Sequence, residues 1–382
     1  MRYINIDVIL RRKHDGPGYT IDIESPTGQP SSKFQLPFLP EELSLLHALI
    51  EGPARDIAIA PPPRVPVSEY RDRVRLFGER LYESVFDARI RASMMTSRAM
   101  ARNRGYGVRI RLHLDHAPEL ACLPWEYLYD RDVDLHLALT TPIVRYLKLD
   151  DPPAALSVKP PLQILVMTAN PIDRPRLDVD QEWGLINAAL EDLQRARLVH
   201  VHRVPGGTVE DLQACLQRQD WHVFHFIGHS GCVGDDAALL LEDERGLSRP
   251  LTRADLNLAL QHPTLRLAIL NSCEGARPLD TDPLSGIAQG LVRSMIPAVI
   301  AMQLKISDQG AIKFAKEFYS ALANNLPVDQ ALTEARKAMY LAKVATEWGT
   351  PVLFMRGNDG RVFDIDQRLR WRRRGPLPPD VS

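Results

Sequence analysis

Between residues 162 and 355 the chain alternates short apolar runs with helix-patterned stretches, and this restricts its fold more than any other feature. The runs are 162–168, 198–204, 222–228, 265–270, 298–302 and 351–355. Each is apolar at nearly every position, not at every second one, as expected of a strand covered on both faces. Helical spacing fills the gaps, near 180–195, 209–218, 252–260, 283–294, 308–324 and 328–344. A parallel neighbour needs a crossover of a dozen or more residues, so this order predicts an α/β fold with a mostly parallel sheet flanked by helices.

Two of the runs deliver reactive side chains. HVFHFIGHSG carries His229 just past the end of its apolar part, between Gly228 and Gly231, and LRLAILNSCEGA carries Cys273 in the same way. On adjacent strands, about 4.8 Å apart, both groups emerge at the carboxyl edge, where open α/β sheets place their ligands. A free thiol is only a few per cent thiolate at neutral pH, and an adjacent imidazole takes its proton and later returns it to a leaving amine. His229 precedes Cys273 by 44 positions, close to the roughly 50 of caspase-type enzymes and opposite in order to papain-type ones. Cys122 and Cys215 sit in apolar contexts and read as buried small hydrophobes, while Cys232 shares the His229 segment. His225, inside the same run, reads as a core histidine.

Ahead of the alternating region, 2–10 and 19–23 alternate across the turn HDGPG as a β-hairpin, and a helix is expected over 40–50. The proline-rich 61–66 reads as a stiff connector, 68–104 as one or two amphipathic helices and 108–114 as a strand. Trp125, Tyr127 and Tyr129 in LPWEYLYD are expected to plug a core. The proline-rich 148–163 is the expected boundary between lobes, and GNDG at 357–360 the turn of a last hairpin. The division is then 1–60, a hairpin and helix; 68–150, an α+β lobe without its own His and Cys pair; 160–365, the lobe with both; and 366–382, a basic, proline-rich tail.

Composition excludes several classes of function. With 47 basic and 48 acidic side chains no global field draws the chain to nucleic acid. No run of about 20 apolar residues offers a membrane span, and charges occupy the start where a signal peptide is apolar, so a cytoplasmic setting is expected. Four scattered cysteines make neither a disulfide framework nor a zinc site, and no glycine-rich phosphate loop occurs, so no cofactor is expected.

Several blocks in order, GVRIRLHLD, LACLPWEYLYD, PLQILVMTANP, HFIGHSG, LNSC, PAVIAMQLKISD, ALTEARKAM and EWGTPVLFMRG, resemble the CHAT domains, caspase-like cysteine peptidases of clan CD, over roughly 70–357. The resemblance implies a caspase-like fold with an N-terminal non-catalytic lobe, and an endopeptidase dyad of His229 as base and acid with Cys273 as nucleophile, acting on a protein substrate. Relatives build an oxyanion hole from the amide after the histidine and the nucleophile's own. Here Ser230 replaces the usual glycine, so the implied hole is Ser230 or Gly231 with Cys273. Resemblance places Met302 and Gln303 against substrate; Asp235, Asp236 and Glu274 are loop carboxylates at the expected site edge. It also implies latency until a separate sensor, activator or cleavage intervenes, in a bacterial defence or cell-death setting. The alternative is a catalytically silent interaction module.

Overall fold

The computed structural model describes residues 2–366 apart from His14, 52–66, 150–152, Asp235, 273–282 and 343–345. The expected connector at 61–66, the basic tail from 367 onward, and Asp235, Cys273 and Glu274 therefore lie outside the described residues.

The first half begins with the hairpin of β1 (Tyr3–Arg12) and β2 (Tyr19–Glu24), extended by β3 (Ser31–Phe34). Helices α1 (Pro40–Glu51), α2 (Val67–Val85) and α3 (Ala88–Asn103) lead to β4 (Gly107–His116), which pairs parallel with β1. The two-residue strands β5 (Tyr129–Asp130) and β6 (Leu135–His136) precede β7 (Ile143–Tyr146). Trp125, Tyr127 and Tyr129 are buried, as their size demands. Gly78 lets α2 reach this aromatic block, because a Cβ there would stand 1.9 Å from the Tyr127 carbonyl oxygen.

The second half follows the predicted alternation: β8 (Leu156–Val158), β9 (Leu162–Thr168), α4 (Val179–Ala189), α5 (Glu191–Arg195), β10 (Val199–Arg203), α6 (Val209–Leu216) and β11 (Val223–Val233). The hairpin of β12 (Asp236–Glu242) and β13 (Ser248–Thr252) precedes α7 (Arg253–Ala259) and β14 (Leu267–Ser272). Then come α8 (Pro283–Ser294), β15 (Ala298–Met302), α9 (Asp308–Ala323), α10 (Val328–Leu341), β16 (Pro351–Met355) and β17 (Phe363–Ile365).

One sheet runs through both halves in the order β10-β9-β11-β14-β15-β16-β7-β4-β1-β2-β3. β16 is antiparallel to β15, and its parallel pairing with β7 joins the halves. One face of the sheet packs on α2, α3, α4, α9 and α10, the other on α6, α7 and α8, so the central strands are covered twice and need apolar residues throughout.

Two expectations are corrected. GNDG does not turn β16 back on itself, for β17 pairs parallel with β8. The cause is Arg109 on β4, which donates to the carbonyls of Asn358 and Asp359 at 3.0 and 2.7 Å while pairing with Asp329 on α10, and so draws the turn inward. Nor does β11 end before His229. Its parallel partners stop near Gly228, and beyond that point β11 overhangs the sheet and pairs antiparallel with β12.

Candidate active site at the carboxyl edge of β11 and β14

The central pairing of β11 with β14 aligns Ile227 with Asn271 and Gly228 with Ser272. The next residues in sequence are His229, still on β11, and Cys273, which lies outside the described residues. Gly228 keeps this edge compact, since a Cβ there would lie 2.8 Å from the Ala169 carbonyl oxygen and 2.7 Å from the Phe226 ring.

His229 is buried and donates from Nε2 to the Pro175 carbonyl at 2.9 Å. A carbonyl oxygen only accepts, so in the neutral ring the lone pair sits on Nδ1. Pro175 belongs to the loop between β9 and α4, which Asn170 closes: its Nδ2 donates to the Leu177 carbonyl at 2.9 Å and its Oδ1 accepts from the Leu177 amide at 3.1 Å. The same loop is clamped to the β12–β13 hairpin by Ile172 on Gly246 and by Asp173, which accepts from the amide and hydroxyl of Ser248. Those Ser248 hydrogen bonds hold the Asp173 carboxyl below the usual range.

Alternation along β14 sets Asn271 on the sheet face that α4 covers, and its Nδ2 donates to Glu182 on that helix. Burial, with a contribution from Asp308 at the start of α9, pushes the Glu182 carboxyl up to about 7. Asn271 Oδ1 and the Ser272 hydroxyl are buried without a hydrogen-bond partner among the described residues. Two consecutive polar side chains left so are unusual in a protein interior and mark this strand end.

The other candidates separate. Ser230 and Gly231 are buried in the β11–β12 ladder opposite Leu239 and Ala238. Antiparallel pairing takes alternate residues, so only one of these two consecutive amides is committed to β12. Cys232 is exposed on the same strand, not in a loop. Asp236 is exposed at the far end of the hairpin, opposite Val233 and 3.9 Å from Arg253. Met302 is buried in the core. Gln303 turns to the seam between the halves, where its amide donates to the Cys122 carbonyl at 2.8 Å and accepts from Arg145 at 3.1 Å. His225 is the buried core histidine expected, sharing a hydrogen bond with Tyr319 at 3.0 Å.

Pro175, Asn170, Glu182 and Asn271 were not singled out from the sequence. Asn271 alone carried a usable signal, an amide inside an otherwise apolar run two residues before Cys273 in sequence. Among the described residues no group of three or more His, Cys, Asp or Glu side chains is disposed to hold a metal ion.

A family model of the CHAT domain matches residues 75–355. The chain belongs to the CHAT domain family. This CHAT chain is similar in shape to two structures of the Saccharomyces cerevisiae separase-securin complex, with TM-scores of 0.54 and 0.51 at 10% and 11% identity. The matches cover 93% and 92% of this chain but 30% of the other in both cases, so the CHAT chain spans less than a third of that length. The Arg specific cysteine proteinase gingipain R matches at 11% identity with a TM-score of 0.43, over 76% of this chain and 68% of that one. No curated protein matches the sequence. The CHAT fold here is caspase-like, a mostly parallel central sheet flanked by helices.

Proposed function

We propose that the chain is a cysteine endopeptidase in which Cys273 is the nucleophile and His229 the base and acid. The observation that carries this reading is the register of Gly228 against Ser272, after which His229 and Cys273 are the next residues in sequence. The Pro175 bond supports it, for it fixes the ring and leaves Nδ1 to take the thiol proton. The thiolate then attacks the scissile carbonyl carbon, and the oxyanion is met by the Cys273 amide and whichever of the Ser230 and Gly231 amides is not paired with β12. Collapse breaks the carbon–nitrogen bond as His229 returns its proton to the amine. Water, deprotonated by His229, hydrolyses the thioester and restores the thiol. No resident cofactor takes part.

In this reading the substrate is a protein, and a separate sensor or activator, or a cleavage, releases a latent site in a bacterial defence or cell-death setting. A cytoplasmic location fits; among the described residues no helix is long and apolar enough to cross a membrane. Asp235 and Glu274 remain candidates for the substrate side of the site.

The test compares wild type with Cys273→Ala on proteins encoded beside it and on a peptide library. Cleavage by wild type alone is expected, and equal cleavage by both removes the proposal. The second reading, an interaction module without catalysis, is favoured by Ser230 in place of the usual glycine. A peptide electrophile separates the two: it labels Cys273 far faster than a free cysteine if a thiolate forms there, and no faster in a silent module.

A further inference from the structure

We propose that Glu182 is a positioning residue for Cys273, a neutral acid that closes a two-bond pair with the Asn271 amide and so steadies the end of β14. The role rests on the peptidase reading above.

Asn271 is the penultimate residue of β14, and Cys273 follows that strand directly in sequence. Its side chain is buried, and the two ends of its amide are served unequally. Nδ2 donates to Glu182, whereas Oδ1 has no donor among the described residues. An ionised carboxylate only accepts, so it leaves Oδ1 in that state. A protonated carboxyl carries an O–H next to the oxygen that already accepts from Nδ2. Acid and amide are then complementary, with one hydrogen bond in each direction, and a single proton supplies what the buried oxygen lacks. An amide held by two bonds does not pivot about one, and that restraint reaches the backbone leading into Cys273.

The surroundings favour the proton. Burial, and then the charge of Asp308 at the start of α9, raise the Glu182 carboxyl to about 7. α4 packs on α9, β9 and α5. On α9, Asp308 accepts from Gln181 at 2.7 Å, and further along Lys313 pairs with Glu317. β9 turns Leu162, Ile164 and Val166 toward α4, together with Thr168, which is held by Arg203; that arginine pairs with Asp180. The charges of α5, on Glu191, Asp192 and Arg195, pair among themselves at the surface. The described residues thus give Glu182 no cation to hold it ionised, and give it one amide that a neutral acid completes.

Two measurements on the full chain test the proposal. With isotope-labelled asparagine, the Asn271 side-chain amide signal, assigned by its loss in Asn271→Ala, should shift with a midpoint of about pH 7 in wild type. In Glu182→Gln it should stay fixed, because that side chain makes both bonds and has no proton to lose. The second measurement is kcat on a peptide substrate for Glu182→Gln divided by that of wild type, in which titration of the dyad cancels. The ratio should rise about tenfold from pH 6 to pH 8, with KM unchanged. Glu182→Leu should have a lower kcat than Glu182→Gln throughout; if circular dichroism shows it unfolded, the ratio decides alone. An amide signal that does not titrate overturns the proposal. A flat ratio while Cys273→Ala is inactive overturns the positioning role alone, whereas equal cleavage by Cys273→Ala overturns the peptidase reading and the role with it.

Discussion

The ring of His229 is tethered to the carbonyl oxygen of Pro175 at 2.9 Å, a backbone group in the role that a carboxylate side chain often fills beside an active-site histidine. The tether is only as good as the loop that presents it, and Asn170 closes that loop with two hydrogen bonds to the Leu177 backbone. Asn170→Ala should therefore lower kcat on a peptide substrate by roughly 10- to 100-fold with little change in KM, since a misplacement of about 1 Å has that effect. Pro175→Ala keeps the carbonyl and should stay near wild type. Steady-state kinetics on both variants decide the matter, and undiminished kcat in Asn170→Ala would show that the tether is not needed.

Glu182 supplies a pH signature. Burial raises its folded pKa to about 7, above the ordinary carboxyl value of 4.5. A raised folded pKa means that the native state holds the proton more tightly, so the stability it contributes is present below pH 4.5 and lost as pH rises through 7. Glu182→Gln has no charge to bury. Its stability relative to wild type should climb by about 2 kcal/mol between pH 4.5 and 8, read from urea unfolding at several pH values, the partial exposure of Glu182 holding the figure below the full shift.

His225 has the opposite sign. Burial lowers its folded pKa from 6.5 to about 4, so its contribution is fully present above pH 6.5 and lost as pH falls toward 4. His136 and His222 are lowered to about 4 by the same cause. Wild type should lose stability steeply between pH 6.5 and 4. His225→Gln should show a shallower slope by about one proton in the same urea series.

At the seam between the halves, Glu126 lies buried with Arg145 at 3.1 Å and Arg336 at 3.8 Å. Arg336 also donates to the Pro351 carbonyl, and Gln303 is drawn into the same network. Glu126→Gln leaves two guanidinium groups without their carboxylate and should destabilise the fold by about 3–5 kcal/mol. Adding Arg336→Met should recover part of that loss, and simple additivity of the two changes in chemical denaturation would show that the residues do not interact.

Legibility followed physical locality. The helices and strands from 162 to 355 could be read because a doubly covered strand must be apolar at each position and a crossover helix must show a stripe, both imprinted residue by residue. The hairpin β1–β2 was legible for the same reason. The path after GNDG was not, because a buried arginine far away in sequence, Arg109, outbids the local turn preference for the carbonyls of Asn358 and Asp359. Gln303 read as a strand-end residue facing the cleft, yet its amide finds the Cys122 carbonyl from the other half of the chain.

By itself the sequence determined the class of fold, the order of its elements and the two apolar runs that an imidazole and a thiol follow in sequence, since periodicity and composition act over a few residues. Only the tertiary structure decided that β11 runs on past His229 to take β12 as a partner, that the Pro175 carbonyl accepts a hydrogen bond from the imidazole, and that Glu182 sits half-buried against Asn271. Those relations depend on which backbone groups are left without a neighbour once the sheet has closed around them, and no short stretch of chain carries that information.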